Sequence, residues 1–242
     1  MPSPNQSEVR NNLLQALSPN IYASLLPHME VIDLPLRHVL VEAGEPTSHV
    51  CFIERGLASV VATSVDEESV EVGHIGWEGM TGTHVILRDD TTVNKTFIQI
   101  AGDGIRVSVQ HFNLVLRQDP ASFDLLLRYV AALEIQVAHS VLANARYNVH
   151  ERLARWLLMC HDRVGEDHLP LTHEFLSLML GVRRSGVTNE LHILEGILAI
   201  KSTRGDVKIL DRSKLEEIAV GCYGVPEREY ERLIGKPARQ KQ

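Results

Sequence analysis

The 242 residues are 44% apolar, enough for one large domain or two modest ones, and carry a formal net charge of −7. No run of about 18 apolar residues occurs, which argues against a membrane span. The polar start MPSPNQSEVRNN lacks signal-peptide character, and Cys51, Cys160 and Cys222 are too few and scattered for a disulfide framework, so a reducing cytoplasm is expected.

The charge is unevenly placed. Residues 1–146 hold 9 Lys and Arg against 17 Asp and Glu, a balance of −8, whereas residues 147–242 hold 15 against 14, a balance of +1. An acidic total disfavours a polyanionic partner. The second half is not bound by that total, and local placement must decide.

After a short helical lead over 8–26, residues 31–110 read as short strands punctuated by turns: HVLVEAGEP, HVCFIERG, LASVVATSV, VEVGHIG, TFIQIAG and GIRVSV. Strands this short with Gly44, Gly56 and Gly102 at turn positions predict a small antiparallel sandwich or barrel. The pattern changes at Asp119-Pro120. Phe123, Leu126, Val130, Leu133, Val137 and Ser140, followed by Asn144 and Tyr147, alternate spacings of four and three. That is an a/d seam of about three heptads, and it predicts a long helix paired with a second copy, Asn144 fixing the register. The other reading is one amphipathic helix packed on its own sheet.

Residues 150–163 (HERLARWLLMCHDR) predict another amphipathic helix, with Leu153, Trp156, Leu157 and Cys160 inward, and VGEDHLP closes the segment as a loop. Thr172 can cap the next helix, whose apolar face is Leu176, Met179 and Leu180. Gly181 then suits a sharp turn. In GVRRSGVTNELHILE, the positions Val187, Leu191, Leu194 and Leu198 form an inward stripe. Ser185, Thr188, Asn189 and His192 lie opposite, behind Arg183 and Arg184 at the helix start. LAIKS, TRGD and VKILD read as strand, turn and strand, completing a winged helix-turn-helix. On this reading Arg183, Arg184, Ser185, Thr188 and Asn189 face the major groove of double-stranded DNA, while Lys201, Arg204 and Lys208 hold phosphates.

With VLVEAGEPTSHVCFIERGLASVV, HIGWEGMTG, ERLARWLL and LTHEFLSLMLGVRRSGVT in this order, the chain resembles the cyclic-AMP receptor protein and fumarate–nitrate regulator (Crp/Fnr) family of bacterial transcription regulators over nearly its whole length. The resemblance implies an α+β chain. Its parts would be a jelly-roll sensor over 1–118, a dimerisation helix over 119–147, a winged helix-turn-helix over 148–220 and a tail over 221–242. It also implies a homodimer on an inverted repeat, with RNA polymerase and a small-molecule effector as further partners and no enzyme activity, metal or cofactor. By position, His173, Arg184, Ser185 and Asn189 fall where the family contacts DNA, beside Thr172.

This sequence departs from the family pattern at two DNA-side positions. Arg183 replaces a Ser-type cap, and Glu190 stands where the motif is commonly apolar. The cyclic-AMP pocket of the family places Gly-Glu and, about a dozen residues later, Arg-Ser. Here Glu78-Gly79-Met80 and Val93-Asn94-Lys95-Thr96 occupy those regions, leaving Lys95 or Arg88 as the only phosphate ligands at hand. Cyclic AMP is therefore not expected to bind. The rival readings are a metal-dependent cupin-type enzyme and a haem-based gas sensor, with His74 and His84 as ligand candidates. None of the 12 histidines lies two residues from another, against the His-x-His start of a cupin site. The three cysteines lack iron–sulfur clustering.

Overall fold

The computed structural model describes residues 4–239; the first three residues of the predicted sensor and the last three of the predicted tail lie outside them. Asn11 caps the first helix, α1 (Asn12–Ala16), with its side-chain oxygen on the N–H groups of Leu13 and Leu14. Helix α2 (Pro19–Leu25) follows behind Ser18. Strands β1 (Glu30–Leu34), β2 (Val39–Val41), β3 (His49–Thr63), β4 (Ser69–Ile75) and β5 (Lys95–Ser108) then build one antiparallel sheet in the order β1-β5-β3-β4, with β2 also on β5. The short α3 (Thr83–Ile86) lies between β4 and β5.

The central ribbon of β3 and β5 is long enough to bend, and it shifts register three times between Ile53 and Ala58. Gly56 and Gly102 meet at that bend. A Cβ on Gly56, which has φ +89°, would sit 2.4 Å from the Ile100 carbonyl, and one on Gly102 would sit 2.0 Å from that of Arg55. Only glycine lets the two backbones approach this closely.

Helix α4 (Val109–Leu116) leads to α5 (Pro120–Arg146), which starts at the predicted place, with Asp119 capping and proline at its first position. By length and a mean hydropathy of 1.4 over its most apolar window, this one helix meets the composition of a membrane span, contrary to the count of continuous apolar residues. Within the fold it is instead tied to the sheet by polar groups. The Gln136 amide accepts from the His74 N–H (2.7 Å) and donates to its carbonyl (3.2 Å). The Tyr129 hydroxyl accepts from the Met80 N–H (3.1 Å) and donates to its carbonyl (3.2 Å).

The carboxyl-terminal half comprises α6 (Val149–Val164), β6 (His168–Leu169), α7 (His173–Leu180), α8 (Arg184–Gly196), β7 (Ile200–Thr203), β8 (Asp206–Ile209), α9 (Arg212–Ile218) and α10 (Val225–Ile234). Two features differ from the sequence reading. First, the boundary near residue 148 is not a boundary of the core, since Leu57, Val61 and Ile100 of the sheet share an apolar cluster with Leu157, Met179 and Leu191. Second, the predicted tail contains α10, which returns to the sheet domain. Tyr230, Ile234 and Ala238 are buried in the amino-terminal core, and the Asn12 side chain donates to the Pro237 carbonyl (2.9 Å).

The two halves also meet through buried polar groups. Arg163 Nε donates to Glu78 Oε1 (2.7 Å), with only 4% and 3% of the two side chains exposed. Trp156 donates to Glu71 (2.8 Å), and Trp77 to the Asp162 carbonyl (3.1 Å). Removing one member of a buried ion pair strands the other charge. Arg163→Met is therefore expected to lower stability by roughly 3–5 kcal/mol in urea unfolding, with much of the loss recovered in the Glu78→Gln/Arg163→Met double variant.

Candidate nucleic-acid interface

Helix α7 begins at Thr172, whose hydroxyl accepts the Phe175 N–H (3.1 Å), and it buries Leu176, Met179 and Leu180. Gly181, at φ +61°, reverses the chain, and the Val182 N–H closes the turn on the Ser177 carbonyl (3.0 Å). Helix α8 then starts behind Arg183, which sits at the cap position without any side-chain cap bond. The helix buries Val187, Leu191 and Leu194 as the spacing requires. Leu198 departs from the expected stripe. It lies past the helix end at φ +58°, 65% exposed, because the chain turns there toward β7 and Ala199 is the residue that enters the core.

The outer side of α8 leaves Arg183, Arg184, Ser185 and Asn189 exposed, while His192 is held by Glu195. Thr188 is committed to its own helix and to His173. Its hydroxyl donates to the Arg184 carbonyl (3.0 Å), and His173 Nδ1 lies 3.1 Å from the same oxygen. The other ring nitrogen of His173 meets the Ser202 hydroxyl on β7 (3.1 Å). The bonds close consistently when Nδ1–H donates to Thr188 and the Ser202 hydroxyl donates to Nε2. Burial, and then the nearby Arg184 guanidinium, lower the His173 pKa, favouring that neutral ring. His173 thus brackets the start of α7, the middle of α8 and the strand pair β7–β8.

Glu190, the acidic residue at an expected apolar position, is half-buried and pairs with His150 of α6 (2.8 Å). That contact gives the departure a structural role between α6 and α8.

Strands β7 and β8 turn at Arg204-Gly205, Gly205 having φ +82°. Lys201 and Lys208 are direct cross-strand partners. Like charges so placed repel, and an anion would relieve them. Among the described residues, Arg183, Arg184, Lys201, Arg204 and Lys208 form no ion pair within the chain. Thr172 and Arg183 also border a cleft of about 550 Å3 opposite Arg37 and Glu68 of the sheet domain.

The residues of the predicted pairing seam on α5 are unequally covered within the chain. Leu126 is fully buried in the sheet domain's own core, while Phe123, Val130, Leu133, Val137 and Ser140 are half-buried and Asn144 is exposed. The open apolar strip runs along Leu127, Ala138, Val141 and Leu142, with Val141 62% exposed.

The six residues expected around an effector are not gathered. Glu78 is paired with Arg163 and Met80 is core. Gly79 lies under Tyr129, where a Cβ would come within 2.1 Å of the hydroxyl. Arg88 stacks over Phe123, and Lys95 pairs with Glu42 (3.0 Å). Asn94 alone of the six borders the cavity between the sheet and α5. His74 is buried against Glu71 and Trp156, and His84 bonds Thr47. Burial pushes the Cys51 thiol up to about 12 and raises those of Cys160 and Cys222, so all three are poor nucleophiles.

Residues 151–218 match the family model of the Crp-like helix-turn-helix domain. No curated protein matches the chain. Solved structures similar to it include a protein of Eubacterium rectale assigned to the crp/fnr family of transcriptional regulators, with a TM-score of 0.68 and 15% identity over 87% of this chain and 99% of that one. A CRP-family transcriptional regulator of Thermus thermophilus has a TM-score of 0.64, with 18% identity over 78% and 96%. FixK2 of Bradyrhizobium japonicum has a TM-score of 0.65, with 14% identity over 78% and 96%. At these identities the likeness establishes the fold.

The placement of Leu198 makes a simple test. A left-handed conformation costs a non-glycine residue roughly 1–2 kcal/mol, more than the flexibility glycine adds to the unfolded chain. Leu198→Gly is expected to raise stability by up to about 1 kcal/mol in urea unfolding. A loss of roughly 3 kcal/mol would instead mean that Leu198 belongs to the buried stripe.

Proposed function

From the Crp-like helix-turn-helix domain over residues 151–218, carried in the Crp/Fnr fold, we propose that this chain is a dimeric, sequence-specific DNA-binding regulator of transcription that reads an inverted repeat. The observation that carries this reading is the set of unpaired cations at the start of α8 and on the β7–β8 wing, joined through His173. The acidic excess lies in residues 1–146, so the near-neutral second half can approach a polyanion locally.

The hydrogen bonds divide the expected contacts by role. Thr172, His173 and Thr188 spend their polar groups inside the domain and act as positioning residues. Arg183, Arg184, Ser185 and Asn189 remain for base edges and nearby phosphates. Arginine suits guanine through two parallel bonds, and asparagine suits adenine in the same way. Lys201, Arg204 and Lys208 supply phosphate contacts, which position the domain without reading sequence.

Pairing through the open strip of α5 would present two α8 helices. Their half-sites should then lie about 34 Å apart, one turn of the duplex. Val141→Glu puts a charge on that strip without touching either core. Light scattering should show a dimer for the wild type and a shift to monomer for the variant. A wild-type monomer at micromolar concentration would contradict the assembly.

Binding-site selection tests the reading head. Arg184→Ala is expected to cost roughly 1–3 kcal/mol per half-site and to relax preference at one base pair. Arg204→Ala should weaken all sequences about equally and make binding less salt-dependent. Selection of no palindrome by the wild type, or unchanged affinity and preference in Arg184→Ala, would refute the role given to α8.

A further inference from the structure

A cavity of about 240 Å3 lies between the sheet and α5. Its apolar wall is formed by Val60, Ala62, Val72 and Ile75 from the sheet, with Leu133 and Val137 from α5. Its polar lining residues are Thr83, Thr92, Thr96, Asn94 and His84. Among the described residues no Asp, Glu, Lys or Arg lines it, and burial lowers the His84 pKa. One nitrogen of that ring is already bonded to Thr47 (2.8 Å).

The carboxylates of Asp89 and Asp90 act electrostatically on His84 and would repel an anion placed beside it. The two cations expected to answer a phosphate are engaged elsewhere, Lys95 on Glu42 and Arg88 over Phe123. A phosphate placed here would lose its water without gaining a counter-charge. Size also limits the occupant. A dry apolar cavity of about 150 Å3 accepts benzene, so about 240 Å3 suits a single substituted ring or a small fused one.

We propose that this cavity is a binding site for a neutral, mainly apolar small molecule of about that size, with the threonine hydroxyls and Asn94 orienting one polar substituent. The inference rests on reading the sheet domain as a sensor. An occupant would touch Leu133 and Val137, next to the open strip of α5, and also Val72, whose strand carries Glu71 and its bond to Trp156.

The test is isothermal titration of the full chain, without DNA, using benzene, toluene, indole and cyclic AMP as probes. At least one aromatic probe should saturate one site per chain with Kd below about 1 mM, while cyclic AMP gives no binding. Ala62→Phe and Val60→Phe each fill the cavity from the sheet side. Either variant, if its circular dichroism matches the wild type, should weaken the probe at least about tenfold. Failure of all three aromatics, affinity surviving a folded filling variant, or tighter binding of cyclic AMP would each overturn the proposal. Because no DNA is present, a chain that binds the probe yet selects no operator would refute the regulator reading and leave the cavity assignment standing.

Discussion

The buried carboxylate of Glu78 is the point on which the arrangement of the two halves depends. It receives the Arg163 guanidinium of α6 and the N–H of Gly76, while its own carbonyl accepts the Tyr230 hydroxyl of α10 (2.6 Å). Sheet domain, helix-turn-helix domain and final helix therefore converge on one residue. Such a cluster is costly to form and more costly to break singly, because each charge depends on its neighbours in a dry environment. It fixes how the halves sit relative to each other more than it adds to stability.

That fixed relation gives the charged groups of α8 and the wing their setting. The packing beneath them is complete: Val187, Leu191 and Leu194 fill the core, and His173 spends both ring nitrogens on holding three elements together. Among the described residues the cations above have no ion-pair partner, a pattern that stability alone does not favour. Lys201 opposite Lys208 makes the point most directly, since two positive charges are held side by side at some electrostatic cost. Rigid support beneath unpaired charge is the physical form expected of a surface made to meet an anion.

Much of this was legible from local patterns. The break at Asp119-Pro120, the turn at Gly181 and the stripe through Leu194 each depend on residues close in sequence, where period and backbone preference decide. Leu198 extended the same period but fell past the helix end, because the chain had to release Ala199 into the core. The spacing of α5 identified a helix but not how the sheet would cover each of its apolar positions. Leu126 and Val141 are both apolar, and only the sheet packed against Leu126 separates their fates. The residues expected around an effector lie apart for a similar reason. Glu78 found its counter-charge 85 positions away and Gly79 was claimed by Tyr129, contacts with no trace in local sequence.

The return of α10 has a consequence for how the chain comes to be folded. Asn12 bonds Tyr230 across 218 positions, and Tyr230, Ile234 and Ala238 occupy the same core as Leu13 and Leu14. During synthesis the sheet domain emerges before α10, yet part of its interior is supplied by residues such as Tyr230, made 218 positions after Asn12. Its core stays unfinished, with apolar surface open to other chains or to chaperones, until α10 has emerged from the ribosome. A nascent chain halted after the helix-turn-helix would carry a defect in the domain farthest from the cut.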